Sequence, residues 1–237
     1  LRRPPDPEDG GMKPWTLLDS APIPGGGTMH LYQHVRDFAI RVGRDELMNS
    51  MAHGSEEALA SLAHARLGSR PQRRVLVGGL GLGFTTAAAL RDLGEGGRIV
   101  VAELVPAVVT WNRGPLSHLA GHPLHDPRVS VEVSDVAMVI AAARTPADTY
   151  DAILLDVDNG PHGLTATANH QLYGTTGLAN AYRALRPGGV LAVWSAGPDD
   201  AFTRRVRAAG FRDVELATAR SHGRKGSRQL IWLASRA

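Results

Sequence analysis

A run of glycines between two apolar segments constrains this chain more than anything else in it. In RVLVGGLGLGFTT, Arg74 to Thr86, the apolar residues Val75, Leu76 and Val77 are too few for a helix and stop at Gly78-Gly79-Leu80-Gly81-Leu82-Gly83. Such a run bounded by glycine reads as a buried strand followed by a tight turn. From Phe84 the sequence FTTAAALRDL is rich in helix formers with apolar residues three and four apart, so the turn opens a helix. Strand, glycine turn and helix in that order suit a nucleotide. Glycine lets the backbone approach the ligand and turn sharply, and the helix start offers unpaired N–H groups. Glu103 stands about twenty residues beyond the last glycine, after the apolar run Ile99 to Ala102, where a carboxylate can accept both hydroxyls of a ribose. Glycines alone would serve merely to pack a helix on a sheet. The spaced acid favours the nucleotide, and the spacing fits NAD and S-adenosyl-L-methionine alike.

At 237 residues the chain suits one large α/β domain with a small appendage. It has no cysteine, which excludes a disulfide scaffold and a thiolate metal site. No apolar run approaches membrane-spanning length and nothing resembles a signal peptide, so a cytoplasmic protein without a membrane partner is expected. The net charge of +3 raises the question of nucleic acid, but the basic residues are dispersed. Their densest groups are Arg204, Arg205 and Arg207, then Arg220, Arg224, Lys225 and Arg228, with no interleaved aromatics. They read as a solvated helix face and a hairpin loop, and no nucleic-acid partner is expected. Nor is a metal site: His30 and His34 fall on an expected strand, and Gly121 separates His118 from His122.

Residues 1–26, rich in Pro and Gly, read as a flexible arm. Residues 27–52 carry period-two segments, MHLYQHV and DFAIRVG, which predict a β-hairpin or lid. Residues 53–237 form the main domain, opening on a helix with Ser55 as its N-cap and Glu56 and Glu57 in its first turn. Beyond it strands alternate with helices: strands over Val75–Val77, Ile99–Ala102, the DPRVSVEVSD segment, Tyr150–Leu155 and Val190–Trp194. Two final strands, Phe211–Ala217 and Gln229–Ala234, have no helix between them. The pattern predicts a Rossmann-like, doubly wound α/β fold with a seven-stranded sheet, an antiparallel C-terminal hairpin and a small N-terminal β-hairpin ahead of it. The terminal hairpin is how the methyltransferase variant of this fold finishes, which favours S-adenosylmethionine over NAD.

As a set, YQHV, RDEL, VLVGGLGLGFT, VVAELVPAVV, DPRV, SDV, YDAILLDVDNGP, LY and ALRPGGVLAVW resemble the polyamine aminopropyltransferases, the spermidine synthase-like family within the class I S-adenosylmethionine-dependent methyltransferase superfamily. The resemblance covers roughly residues 28–235. It implies that Gly79, Gly81 and Gly83 border the cofactor and that Glu103, with Leu104 beside it, holds the ribose. Asp135 and Val136 would face the adenine, Asp156 the methionine part, and Gln33 would reach in from the N-terminal hairpin. It also implies a homodimer.

Departures from the family decide the reaction expected. The family carries an aspartate within the glycine turn, which disfavours a cofactor that keeps its carboxylate; Gly81 and Leu82 stand at that place here. The second acid of its fourth-strand loop falls on Asn159, with Asp158 one position early. The expectation is therefore a methyltransferase using intact S-adenosyl-L-methionine on a small neutral or aromatic metabolite, by N- or C-methylation, for instance of an indole-type acceptor. Asp158, Asn159 and Glu56 are the candidate catalytic residues, against an Asx turn for the first two and a helix-dipole role for the third. His53, His162, His170 and Tyr173 lie near the same mouth, and Tyr32 and Trp111 are candidates for a pocket wall. The alternatives are an aminopropyltransferase using the decarboxylated cofactor and a non-catalytic cofactor-binding protein.

Overall fold

The computed structural model describes residues 14–157, 160–162, 171–222 and 226–237. Its larger sheet grows outward from the strand before the glycine turn. That strand, β5 (Arg74–Gly78), pairs in parallel with β6 (Arg98–Glu103) on one side and with β8 (Tyr150–Leu155) on the other. Next to β6 lies β7 (Val129–Val133), and next to β8 lies β9 (Leu185–Ser195), both parallel. The sheet closes with β11 (Arg228–Ser235) antiparallel to β9, and β10 (Arg212–Arg220) antiparallel to β11. The resulting seven-stranded order, β10-β11-β9-β8-β5-β6-β7, reverses direction of growth between β5 and β8, the place where a doubly wound sheet binds ligands beyond its strand ends.

Both faces of this sheet are covered, so its central strands are apolar throughout and divide their side chains between two cores. Val75 and Val77 of β5 pack with α1 (Gly54–Leu67), α2 (Phe84–Asp92) and α3 (Pro106–Arg113) through Leu59, Ala63, Ala88 and Val109. Leu76, between them, faces the other way, toward α4 (Val136–Ala142), α5 (Thr175–Ala184) and α6 (Asp200–Ala208) through Ile140, Leu178 and Phe202. At the amino edge the buried Asp151 is held by Arg186 at 2.7 Å, Arg70 at 3.4 Å and the Arg74 backbone N–H at 2.8 Å.

The N-terminal region differs from expectation. Instead of a hairpin after a flexible arm, a four-stranded antiparallel sheet runs in order from β1 (Thr16–Pro22) through β2 (Thr28–His34) and β3 (Asp37–Val42) to β4 (Asp45–Asn49). Residues 16–22, read as part of the arm, form an edge strand because tertiary contacts compensate for weak local patterning. Trp111 Nε1 on α3 donates to Asp19 Oδ2 at 2.7 Å, which holds the Asp19 carboxyl below its usual range. Leu31, Phe38 and Ile40 join the core shared by α1, α2 and α3, so this sheet sits on the larger one.

Two boundaries also moved. His53, not Ser55, occupies the N-cap of α1 and makes no side-chain cap bond, while Ser55 is buried in the first turn. The segment Arg186-Pro187-Gly188-Gly189 bulges out within β9: Leu185 pairs with Tyr150, and pairing resumes at Val190 with Ala152.

Candidate functional site

The glycine turn leaves β5 in left-handed conformations at Gly79, Gly81 and Gly83, with φ of +86°, +52° and +88°. Each glycine also has a close neighbour, and at Gly79 that neighbour alone forbids a side chain. A Cβ on Gly79 would lie 2.3 Å from the Asp156 carbonyl oxygen, and one on Gly83 would lie 3.0 Å from Asn112 Oδ1. At Gly81 the neighbour comes from the N-terminal sheet: a Cβ would meet Met48 Sδ of β4 at 3.0 Å. A Cβ at Gly81 would press on the flexible end of Met48, which has to give only a few tenths of an ångström, so the firmer constraint there is the left-handed backbone.

Glu103 reaches this turn as a brace. Its Oε2 accepts the Leu80 N–H at 2.9 Å and its Oε1 the Val105 N–H at 2.8 Å, tying the glycine turn to the end of β6. Burial pushes its carboxyl up, and the N–H bonds pull it back. A ribose would therefore use lone pairs left over from these bonds. Asn112, which sequence reasoning missed, is a second brace, donating through Nδ2 to the Gly81 and Val108 carbonyls at 2.8 and 2.9 Å. Its signal was a buried amide on an otherwise apolar helix face.

Beyond Glu103 the strand ends are apolar and open. Leu104, Val133 and Met138 are 43%, 54% and 63% exposed, although each is large and hydrophobic. Glu103 and Val133 are register partners across β6 and β7. Asp135 caps α4 through its Oδ1, which accepts the Ala137 N–H at 2.8 Å, and Val136 is buried beneath, against Gly78. A flat heterocycle fits such a place, with apolar side chains on its faces and loop backbone at its edge.

The chemistry concentrates where the starts of α1 and α2 meet the end of β8. His53 stacks on Phe84 with ring centroids 4.1 Å apart, which draws the two helix starts together. Thr85 Oγ1 donates to Asp156 Oδ2 at 2.6 Å, and Ser55 Oγ donates to Glu56 Oε2 at 2.6 Å. Asp156 and Glu56 repel each other. Burial, then the Glu56 charge, push the Asp156 carboxyl up to about 7 against the Thr85 bond. Burial likewise pushes Glu56 up, against the Ser55 bond. Glu57 turns aside to His53 Nδ1 at 3.1 Å.

Of the other expected residues, Gln33 lies one residue before the end of β2, with Nε2 donating to the Val35 carbonyl at 3.1 Å. Trp111 and Tyr173 are buried in the two cores, and Tyr32 lies under the Arg41 guanidinium, 5.1 Å from the ring centre. Asp158, Asn159 and His170 lie outside the described residues, as does the side chain of His162. Among the described residues no helix is long and apolar enough to cross a membrane, and no group of three or more His, Asp or Glu that could hold a metal comes together.

Strand order, glycine turn and spaced acid define a Rossmann-like fold of the kind that the class I methyltransferases and the spermidine synthases share. No protein-family profile matches the chain. It is 34% identical to the polyamine aminopropyltransferase of Mycobacterium tuberculosis over 145 residues, covering 59% of this chain and 27% of that protein. To the polyamine aminopropyltransferase of Prochlorococcus marinus it is 32% identical over 162 residues, covering 68% and 50%. The chain thus matches half or less of the length of these relatives. Its fold matches a spermidine synthase solved in complex with the transition-state analogue AdoDATO, with a TM-score of 0.75 at 17% identity over 93% of this chain and 74% of that one. The spermidine synthase of Thermotoga maritima gives 0.71 at 17% over 93% and 73%. The chain is a homologue of the polyamine aminopropyltransferases and has the spermidine synthase fold.

These relatives overturn the methyltransferase expectation, and with it the neutral or aromatic acceptor. That expectation rested on the uncharged Gly81-Leu82 pair. Its flaw was to treat one position as the only source of negative charge, when Asp156 and Glu56 bring two carboxyls together beside the same turn.

Proposed function

We propose that this protein transfers an aminopropyl group from decarboxylated S-adenosylmethionine to an amine. The observation that carries the reading is the meeting of Asp156 and Glu56 beside the glycine turn, in a chain whose relatives are aminopropyltransferases. When bound, the sulfonium donor supplies a propyl carbon already activated by the positive sulfur. The amine nitrogen forms its bond to that carbon as the carbon–sulfur bond breaks, the electron pair leaves on a neutral thioether, methylthioadenosine, and one proton leaves the nitrogen.

The protein's part is to hold, select and accept that proton. Gly79, Gly81 and Gly83 admit the nucleoside, Glu103 braces the loop at its ribose, and Leu104, Asp135 and Val136 border its base. Negative charge on this acid pair attracts the donor's ammonium end and repels a carboxylate there, the selection that a turn aspartate performs in the family. Burial raises the proton affinity of Glu56 above that of a free carboxylate, which suits a general base. Glu56, one turn into a rigid helix, is the group we assign to take the amine's proton, with Asp156 and Thr85 positioning the donor. Asp158 and Asn159 stay candidates for the acceptor on sequence grounds alone.

The test is to incubate the purified protein with the decarboxylated donor and a panel of amines and to follow methylthioadenosine. Release in proportion to enzyme, falling at least about 100-fold in Glu56→Gln, is expected. Absence of methylthioadenosine with every amine, while the donor binds, would refute the reading.

A further inference from the structure

The end of the β10–β11 hairpin supplies what α1 lacks at its own start. The first N–H groups of a helix have no partner within it, and the side chain at the N-cap commonly meets one of them. His53 occupies that position and makes no cap bond, its ring being stacked on Phe84. The nearest hydroxyl, Ser55 Oγ, is committed to Glu56 Oε2 at 2.6 Å. The Gly54 N–H is met from outside instead, by the Ser221 carbonyl at 2.8 Å, one residue beyond β10. Earlier in the chain, the Met51 carbonyl accepts from the His222 ring nitrogen Nδ1 at 3.0 Å. Ser221 and His222 thus grip the backbone on both sides of His53, and Glu56 follows in the first turn of the helix.

Both partners are shaped for this contact. A Cβ at Gly54 would lie 2.6 Å from the Arg220 carbonyl oxygen and 3.2 Å from that of Ser221, and a Cβ at Gly226 would lie 2.6 Å from Ser221 Oγ. The hairpin end is also braced internally. The Ser221 N–H donates to the Ser227 carbonyl at 3.1 Å, the Gly226 N–H to the His222 carbonyl at 2.8 Å, and Arg220 Nη1 to the Gly226 carbonyl at 3.2 Å. The hydroxyls of Ser221 and Ser227 meet at 3.0 Å, and Gln229 Nε2 donates to Ser227 Oγ at 2.7 Å. Ser221 is buried, whereas His222 is exposed, so the His222 ring can be replaced without opening a core.

We infer that the hairpin end positions Glu56 for its part in the reaction, with His222 as the positioning residue. This rests on the aminopropyl reading. Because the Ser221 carbonyl meets the first N–H of α1, Ser55 keeps its hydroxyl for the Glu56 carboxylate and holds it in one orientation. A base must lie within hydrogen-bond reach of the nitrogen whose proton it takes, and a small displacement forfeits much of the rate. The glycine turn is held separately, by Glu103 and Asn112. The hairpin end therefore acts on the base and leaves the nucleoside's place undisturbed.

In His222→Ala, kcat for methylthioadenosine release should fall about tenfold, while KM for the donor and the calorimetric affinity for methylthioadenosine stay unchanged. His222→Asn, whose amide can donate to the Met51 carbonyl, should recover most of the loss. His222→Phe keeps a ring without a donor; it should behave as the alanine form does, and replaces it if that form does not fold. An NMR titration of the side-chain carboxyls, with Glu56→Gln identifying the signal, reads the same place without turnover. Glu56 faces Asp156 at the end of β8 and His53 and Glu57 on its own helix, and burial outweighs them all in raising it. Loosening the helix start admits water, so the Glu56 midpoint should move to lower pH in His222→Ala and return in His222→Asn. If no amine turns over but this shift and its rescue occur, aminopropyl transfer fails and the positioning role stands. An unmoved midpoint, a shift that Asn does not reverse, or nucleoside affinity lost in step with kcat would overturn it.

Discussion

The substitution Asp156→Asn should make the protein more stable and less active, and the gain should depend on pH. Burial and the neighbouring Glu56 raise the Asp156 carboxyl from 3.8 to about 7. At about 1.4 kcal/mol for each tenfold change in proton affinity, that rise amounts to roughly 4 kcal/mol. The residue as a whole is only partly covered and part of the repulsion belongs to Glu56, so about 2 to 4 kcal/mol is expected. A carboxyl raised by folding stabilises the fold below its unfolded value, near pH 4, and that contribution is lost as pH rises through 7. At pH 8 the wild type therefore bears the full cost of the charge. The Asp156→Asn variant bears none of it, and the oxygen of its amide can still accept from Thr85. Urea unfolding at pH 8, 6.5 and 5 should show the variant ahead by about 2 to 4 kcal/mol at pH 8, with the gap closing toward pH 5 and below. A variant no more stable at pH 8, or a gap independent of pH, would refute the reasoning. Methylthioadenosine release by the variant should fall at every pH, since a stabilising change at a functional carboxylate usually costs function.

Gly79→Ala places a Cβ 2.3 Å from the Asp156 carbonyl oxygen at a φ of +86°. It should cost about 2 kcal/mol or more in urea unfolding and abolish methylthioadenosine binding in calorimetry. Glu103→Gln keeps one acceptor oxygen where two serve Leu80 and Val105. Methylthioadenosine binding should weaken roughly tenfold or more, with about 1 to 3 kcal/mol lost from stability. Asp151→Ala removes the partner of Arg70 and Arg186 at the far edge of the sheet. It should lower stability by about 3 kcal/mol while leaving nucleoside affinity unchanged, because Asp151 lies at the opposite strand ends.

Much of the fold was written in short-range signals. The order of strands and helices, the turn after β5, the helix from Phe84 and the spacing to Glu103 are local patterns. A buried strand must be apolar, a left-handed turn must be glycine, and both are visible in a few neighbouring letters. The edge strand β1 was not visible, because what holds it is Trp111, an indole 92 residues away. The N-cap of α1 was misplaced for a similar reason: His53 sits there through its stacking on Phe84, not through a cap bond of its own.

The site followed the same division. Sequence alone determined the strand, glycine turn and helix around Gly79 and the spacing to Glu103, and named Glu56 and Asp156 separately, one as a catalytic candidate and one as a cofactor neighbour. Only the tertiary structure brought these two carboxyls together and set Met48 against Gly81. Each of those meetings joins elements far apart in the chain, and its chemistry arises from burial and from like charges held close. Those are properties of a packed arrangement, fixed by how sheets and helices register on one another, and no local spacing in the sequence encodes them.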